Sequence, residues 1–305
     1  MSATVQDAIS QVPAWTGRRV ELLPMTGGLS HLVAHLRVDG VDQVLRVLDP
    51  AVAEAGLGVP LAEEIANTVV AAESGAGPRV LHIIEALPAL VLEYLPGRTL
   101  GFADTREPGR IPQLAAACRR LHAAPRPFVN DFDIFAKQRR LLEICHRHGL
   151  TVFPDYLDHL PIAQELEQVL TADPPPARPC HNDLLAENFL EEPGGIRIVD
   201  YQLSGMGDPG FELGNIAAEG QFDPDRLALL ANAYSGGADP RLTARTRLFQ
   251  AMSDFTWTLW FCIHHGLLSK PGSTFDYWGE AAGKWGRAKA ALTDPGLGRL
   301  LQLAH

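Results

Sequence analysis

Between Pro179 and Gln202 the chain carries the pattern that most narrows what it can fold into and do. His181-Asn182-Asp183 is followed after four residues by Asn188, and a β-branched run, Ile196 to Val199, then ends on Asp200. Phosphoryl transfer accounts for these residue types. One carboxylate must sit beside an acceptor hydroxyl, to orient it and take its proton. A second carboxylate and an amide oxygen must hold Mg2+ against the phosphates of ATP. Asp183 suits the first role, and Asn188 and Asp200 suit the second. His181 suits a hydrogen bond that orients the loop. A loop acid, a capping Asn and a strand-end Asp are each common without any chemistry; the ordered set carries the expectation.

The rest of the composition fits an enzyme of this kind. The 305 residues are 46% hydrophobic and 20% charged, which is globular and long enough for two lobes with a core of their own. The formal net charge of −10 argues against nucleic acid, which needs a basic face. It suits a cationic substrate. The four cysteines, Cys118, Cys145, Cys180 and Cys262, form no C-x-x-C pair, so a reduced, cytoplasmic protein is expected. Met1 to Gln11 has no basic stretch followed by an apolar run, so no signal peptide is expected. Phe255 to Leu268 is apolar but shorter than the roughly 18 residues of a membrane span, and reads as a buried helix.

Along the chain the pattern changes near Tyr94. Before it lie short strand candidates: Val20 to Leu23, a hairpin from Leu29–Val38 and Gln43–Val47 turning at Asp39-Gly40, Val80 to Ile84 and Leu90 to Tyr94. One helix, Leu61 to Glu73, has apolar spacing at Leu61, Ile65, Val69 and Ala72. After Pro96-Gly97 the pattern is mostly helical. Helices are expected around Leu114–Leu121, Ile162–Leu170 and Leu227–Tyr234. A last long one is expected from about Leu242 to Leu268. Ile196 to Tyr201 is the only strand expected in this second part.

Several residues suit the nucleotide. Gly27-Gly28-Leu29-Ser30 lies between two strand candidates, where free backbone N–H groups can approach phosphates. It is not a P-loop, since no G-x-x-x-x-G-K-[ST] occurs. Arg46 stands inside a strand between Leu45 and Val47, and a half-buried charge needs a partner. In kinases a basic residue there contacts phosphates and pairs with a helical acid; Glu64 is expected, with Glu63 second. On the acceptor side, Trp257 and Trp260 are three apart on one helix and can cage an ammonium by cation–π attraction. They equally suit an apolar core.

These residues resemble the aminoglycoside phosphotransferase and choline kinase superfamily, in which the arginine of the protein-kinase His-Arg-Asp motif is replaced, as Asn182 does here. The resemblance to bacterial choline and ethanolamine kinase-like proteins covers nearly the whole chain. It includes Ser204 to Asn215 and Asp133-Ile134-Phe135, which follows Arg120-Leu121-His122. It implies an α+β, two-lobed protein-kinase-like fold. Residues 1–95 would be a nucleotide-binding lobe with a small antiparallel sheet and one helix, and residues 96–305 a larger, mainly helical catalytic and substrate lobe. It implies ATP and Mg2+ as cofactors, a small amino alcohol such as choline or ethanolamine as acceptor, and no nucleic-acid or membrane partner. The oligomeric state stays open.

The resemblance also assigns residues. Glu93 to Leu95 would be the hinge whose backbone binds adenine. Trp257, Trp260 and Tyr277 would line the acceptor pocket, and Glu219 would face the cation. Gly210 and Gly220 stand where larger residues are common, which implies a wider pocket. One departure sits beside the metal: the family's Glu two residues after the metal-binding Asp is Gln202 here, grouped with the substrate-side residues. That departure keeps two alternatives open, a kinase of another small alcohol or aminoglycoside, and a regulatory pseudokinase that binds nucleotide.

Overall fold

The structure, a computed structural model, describes residues 5–24, 31–84, 87–269 and 275–305, with nothing assigned to the side chain of Val52. The expected Gly27-Gly28-Leu29-Ser30 loop therefore lies outside the described residues.

Five antiparallel strands form the first sheet: β1 (Val20–Leu23), β2 (Leu32–Val38), β3 (Val41–Val47), β4 (Val80–Ile84) and β5 (Ala89–Glu93), in the order β1-β2-β3-β5-β4. The β2–β3 hairpin turns at Asp39 and Gly40, with φ of 48° and 85°. Both central residues of the tight hairpin turn that matches strand twist need positive φ, and Asx-Gly supplies them cheaply. β5 is central and buried on both faces from Ala89 to Leu92, which explains its unbroken apolar run.

Helix α1 (Leu61–Glu73) has the expected bounds but turns a different face inward. Its buried residues are Glu64, Asn67, Thr68, Val70 and Ala71, so three polar side chains lie on the inner stripe and the apolar Leu61, Ile65 and Val69 are only half-buried. Each polar group has work there. Asn67 accepts the Val129 N–H at 3.0 Å and donates to Asn130 Oδ1 at 2.7 Å and Ser204 Oγ at 3.0 Å. It thereby ties the helix to segments far along the chain.

The remainder is mainly helical: α2 (Ile111–His122), α3 (Ile134–Arg147), α4 (Leu160–Ala172), α5 (Pro209–Glu219), α6 (Pro224–Ser235), α7 (Pro240–Ile263), α8 (Tyr277–Leu292) and α9 (Leu297–Ala304). α5, α6 and α7 begin alike, with Asp208, Asp223 and Asp239 each accepting a backbone N–H of the first turn and proline at the first helical position. This arrangement satisfies otherwise orphaned N–H groups. Gly236 closes α6 at φ 81°.

Two expectations are corrected. The helix expected at 242–268 ends its α-helical part at Ile263, passes into a π turn over His264–Leu268, and is followed by α8 and α9. The second part also holds more than one strand. β6 (Arg98–Thr99), β8 (Phe189–Glu192) and β9 (Gly195–Ile198) make one small sheet, and β7 (Arg178–Cys180) pairs with β10 (Gly205–Gly207). These short strands bracket residues 181–188 and 199–204, so each end of the loop pattern is pinned by a ladder. Among the described residues no helix is long and apolar enough to cross a membrane.

Candidate active site

His181, Asn182 and Asp183 follow directly on β7, Asn188 closes a 3₁₀ turn before β8, and Asp200 follows β9. Backbone bonds hold the two segments together: Val199 N–H donates to the Asn188 carbonyl at 3.0 Å. His181 lies between them. Its Nε2 lies 2.9 Å from the Val199 carbonyl and its Nδ1 3.2 Å from the Asp183 amide. A ring that donates at Nε2 and accepts at Nδ1 satisfies both, which is the neutral tautomer. Burial lowers its pKa further, so this imidazole stays neutral and orients the loop.

Two non-glycine residues of this site have positive φ, Asn182 at 68° and Asp200 at 73°. That region is costly for side-chain-bearing residues and is held only where surroundings over-determine it. Here the surroundings are explicit. Glu212 of α5, fully buried, accepts the His181 N–H at 2.8 Å and the Asn182 N–H at 2.7 Å. One turn on, Asn215 accepts the Leu184 N–H at 2.6 Å and donates to Ser253 of α7 at 3.2 Å. Burial alone would raise the Glu212 carboxyl, but the hydrogen bond and charge of His122, with His181 behind it, hold it below its usual range. His122, Cys180 and Glu212 lie close enough to suggest a metal. Both Glu212 oxygens accept from this loop, Tyr234 holds the far side of His122 at Nδ1, and His122 Nε2 meets Cys180 Sγ at 3.6 Å, so the cluster reads as a support.

Asp183 is half-buried. Burial, then the charges of Glu219 and Asp200, push its carboxyl up to about 8, with Lys284 pulling the other way. Asn188 donates its Nδ2 to the Asp183 carbonyl at 2.8 Å, which leaves its side-chain oxygen as the group that can meet a cation. Asp200 Oδ1 pairs with Arg46, leaving Oδ2 for the same purpose. Burial would raise Asp200, but the Arg46 guanidinium outweighs it and keeps it ionised. Gln202 is buried, and its Oε1 has no hydrogen-bond partner among the described residues. The Asn188 amide oxygen, the Asp200 carboxylate oxygen and this orphaned oxygen are all hard donors, the kind that suits a cation such as Mg2+.

Arg46 on β3 donates to Glu64 at 2.9 Å, and its guanidinium also reaches Asp200. Of the two acids expected, Glu64 makes the pair. Burial would lower the Arg46 pKa, but Asp200 and Glu64 reverse that and raise it. Glu93 ends β5, where its carboxylate meets Arg79 at 2.6 Å and Arg197 at 3.1 Å. Its own N–H is already given to the Arg79 carbonyl; Leu95 lies two residues on, buried.

The residues expected around the acceptor are brought together in part. Trp257 is 5% exposed within the apolar core of the helical part, whereas Trp260 is half-buried. Neither indole N–H has a partner among the described residues. Trp260 packs at a tilt against His264 with ring centroids 3.8 Å apart, and His264 stacks on Tyr277 at 5.2 Å. Burial draws the His264 pKa down to about 4, so it serves as a neutral ring in this stack. Glu219 ends α5 and accepts from Lys284 Nζ of α8 at 2.7 Å. The wider pocket expected from Gly210 and Gly220 does not arise from them. A Cβ at Gly210 would stand 3.0 Å from Asp208 Oδ1, and one at Gly220 2.4 Å from the Phe222 ring, so both glycines make room for their own neighbours.

Sequence reasoning missed four charged groups here. Glu212 and Asp254 had no distinguishing spacing. Lys284 lies on a helix that was not expected. Lys137 of α3 donates to the Gly56 carbonyl at 3.0 Å, and burial with the charge of Arg140 draws it down to about 8 against the pull of Asp183. It lies four residues after Asp133, which caps this helix by accepting the Phe135 N–H at 2.8 Å.

Comparison with known proteins agrees on one family. Residues 21–249 match the phosphotransferase enzyme family. The chain is 26% identical over 234 residues to choline/ethanolamine kinase of Homo sapiens, covering 69% of this chain and 58% of that protein. It is 25% identical over 215 residues to protein LicA of Haemophilus influenzae, covering 68% and 61%. The chain thus spans about three-fifths of the length of these curated relatives. Among solved structures, a choline/ethanolamine kinase family protein from Mesorhizobium loti superposes with a TM-score of 0.80 at 30% identity, covering 98% of both chains. Choline kinase LicA from Streptococcus pneumoniae gives 0.74 at 18% identity, covering 94% of this chain and 97% of that one, which speaks to the fold alone. The two-lobed α+β kinase-like fold expected from sequence is the fold these neighbours share.

Proposed function

Since this chain belongs to the phosphotransferase enzyme family, we propose that it transfers the γ-phosphate of ATP to the hydroxyl of a small amino alcohol, with choline and ethanolamine foremost. The observation that carries this reading is the convergence on Asp200. It lies in one site with Asn188 and Asp183, and it is also the partner of the Arg46 that Glu64 holds. That is one set of groups for a cation, a polyphosphate and a hydroxyl at once.

In this reading residues 1–95 hold the nucleotide and residues 96–305 the acceptor. Asn188 and Asp200 would hold Mg2+, and the unpartnered Gln202 oxygen, two residues from Asp200, is a further candidate donor; when bound, the ion neutralises phosphate charge. Arg46, aimed by Glu64, takes phosphate oxygens. Gly27, Gly28, Leu29 and Ser30 would offer backbone N–H groups to the phosphates, and the backbone of Glu93 to Leu95 takes adenine. Asp183 accepts the acceptor hydroxyl's hydrogen, the role of a positioned general base. His181 fixes the loop. Trp257, Trp260, Tyr277 and Glu219 line the acceptor side. Rate enhancement comes mainly from positioning and charge neutralisation. The reaction belongs in the cytoplasm, where ATP is available.

The test is ADP release from MgATP across choline, ethanolamine, their methylated relatives and aminoglycosides, with Asp183→Asn as the blank. One strong acceptor that disappears in the blank supports the reading. ATP binding with no turnover for any acceptor would instead favour a regulatory nucleotide-binding protein, the second reading, which Gln202 motivates.

A further inference from the structure

Lys284 is 3% exposed, which is unusual for an ammonium group and requires a reason. Its Nζ donates to Glu219 Oε1 at 2.7 Å, stands 3.7 Å from Asp254 Oδ1, and lies 5.8 Å from the centre of the Phe261 ring. Two carboxylates and an aromatic face are the groups that recognise a free ammonium ion. Arg287, one turn further along α8, closes the set with two bonds to Asp254 at 2.9 and 2.8 Å. The two acids are thus matched by two cations of the same chain.

The location is the acceptor side of Asp183. Glu212, Asn215 and Glu219 are spaced three and four apart on α5 and so share one face. The first two hold residues 181–184 of the loop, and Glu219 continues the row. Asp254 follows the Ser253 that meets Asn215. The charges of Glu219 and Lys284 are both felt at the Asp183 carboxyl. Phe261 meets Trp260 edge-on and Tyr277 at a tilt, with centroids at 5.0 and 6.4 Å.

We infer that Lys284 is a tethered ammonium lodged in the cation subsite of the acceptor pocket, so that a cationic alcohol binds only by displacing it from Glu219. Lys284 is then a specificity-determining residue. It weakens binding of permanently charged amino alcohols, because the carboxylates that would attract them are already neutralised. This inference rests on the amino-alcohol reading for its kinetic arm, but not for its binding arm.

The experiment compares wild type with Lys284→Met and Lys284→Gln, and with Lys284→Arg as the charge-retaining control. KM for choline at saturating MgATP should fall about tenfold or more in the Met and Gln variants, as expected for exchanging one buried ion pair and cation–π contact. KM for ATP should stay in place, and the Arg variant should stay like wild type. In parallel, tetramethylammonium should raise the melting temperature of the Met or Gln protein and leave that of wild type unmoved. Choline turnover with an unchanged or raised KM in both variants overturns the inference and leaves the amino-alcohol reading standing. Absence of turnover for every amino alcohol overturns that reading. The tetramethylammonium shift then decides the inference by itself: a shift confined to the variants supports it, and no shift overturns it.

Discussion

Asn188 donates its side-chain amide to the backbone carbonyl of Asp183 at 2.8 Å, so the residue proposed to hold the cation also fixes the backbone of the residue proposed to meet the acceptor hydroxyl. An Asn188→Asp protein keeps an oxygen for the cation but can no longer donate to Asp183. Its kcat should fall by about 100-fold, the scale of a small misplacement of a reacting group, with a smaller change in KM for MgATP. Steady-state kinetics checks this; a normal kcat would show that Asp183 is positioned by other contacts.

Glu212→Gln tests the clamp from behind. The amide can present only one oxygen to the two N–H groups of His181 and Asn182, and its NH2 would oppose the other. A loss of about 2–4 kcal/mol in urea unfolding is expected, from one charged hydrogen bond removed and one buried donor left unpaired. Little change in stability would mean that water replaces the bond.

Asp183 makes the ligand-free protein's stability depend on pH in an unusual direction. In the unfolded chain an aspartate titrates near 3.9; in the fold this one is pushed up to about 8. Between those values the folded state holds a proton that the unfolded chain has lost. Stability from this group is therefore full below about 4 and declines as pH rises toward 8. Melting curves from pH 5 to 8.5 should fall more steeply for wild type than for Asp183→Asn. Parallel curves would show that the carboxyl is not raised.

Gln202→Glu places a carboxylate in a buried position two residues from Asp200. Without a divalent cation the variant should melt below wild type, since like charges and burial both oppose ionisation. Added Mg2+ should raise its melting temperature by more than it raises that of wild type. An equal response in both proteins would separate Gln202 from the cation set.

Much of this was legible because it is local. The hairpin at Asp39-Gly40, the bounds of α1 and the loop from His181 to Asp200 all rest on spacing or turn chemistry within a few residues. α5 was legible and was passed over: Asp208-Pro209 is the same helix start as Asp223-Pro224 and Asp239-Pro240. α8 was harder. Ala281, Trp285, Ala288 and Leu292 have helical spacing, but Gly279, Gly283 and Gly286 lower helix propensity along the same stretch. On the inward stripe of α1, Glu64 was legible as the partner of Arg46, but Asn67 was not, because it faces inward only to meet Asn130 and Ser204, residues distant in sequence. Glu212 likewise acts on backbone N–H groups 31 and 30 positions earlier, and backbone leaves no mark in a residue pattern.

During synthesis Glu219 leaves the ribosome 65 residues before the Lys284 that neutralises it, and Asp254 precedes Arg287 by 33. Until α8 emerges, a nascent chain that buried those acids would bear uncompensated charge in its interior. These two ion pairs can therefore close only after the loop from His181 to Asp200 is already translated. A messenger truncated before codon 284 would yield a chain that carries residues 181–200 but leaves Glu219 and Asp254 without Lys284 and Arg287.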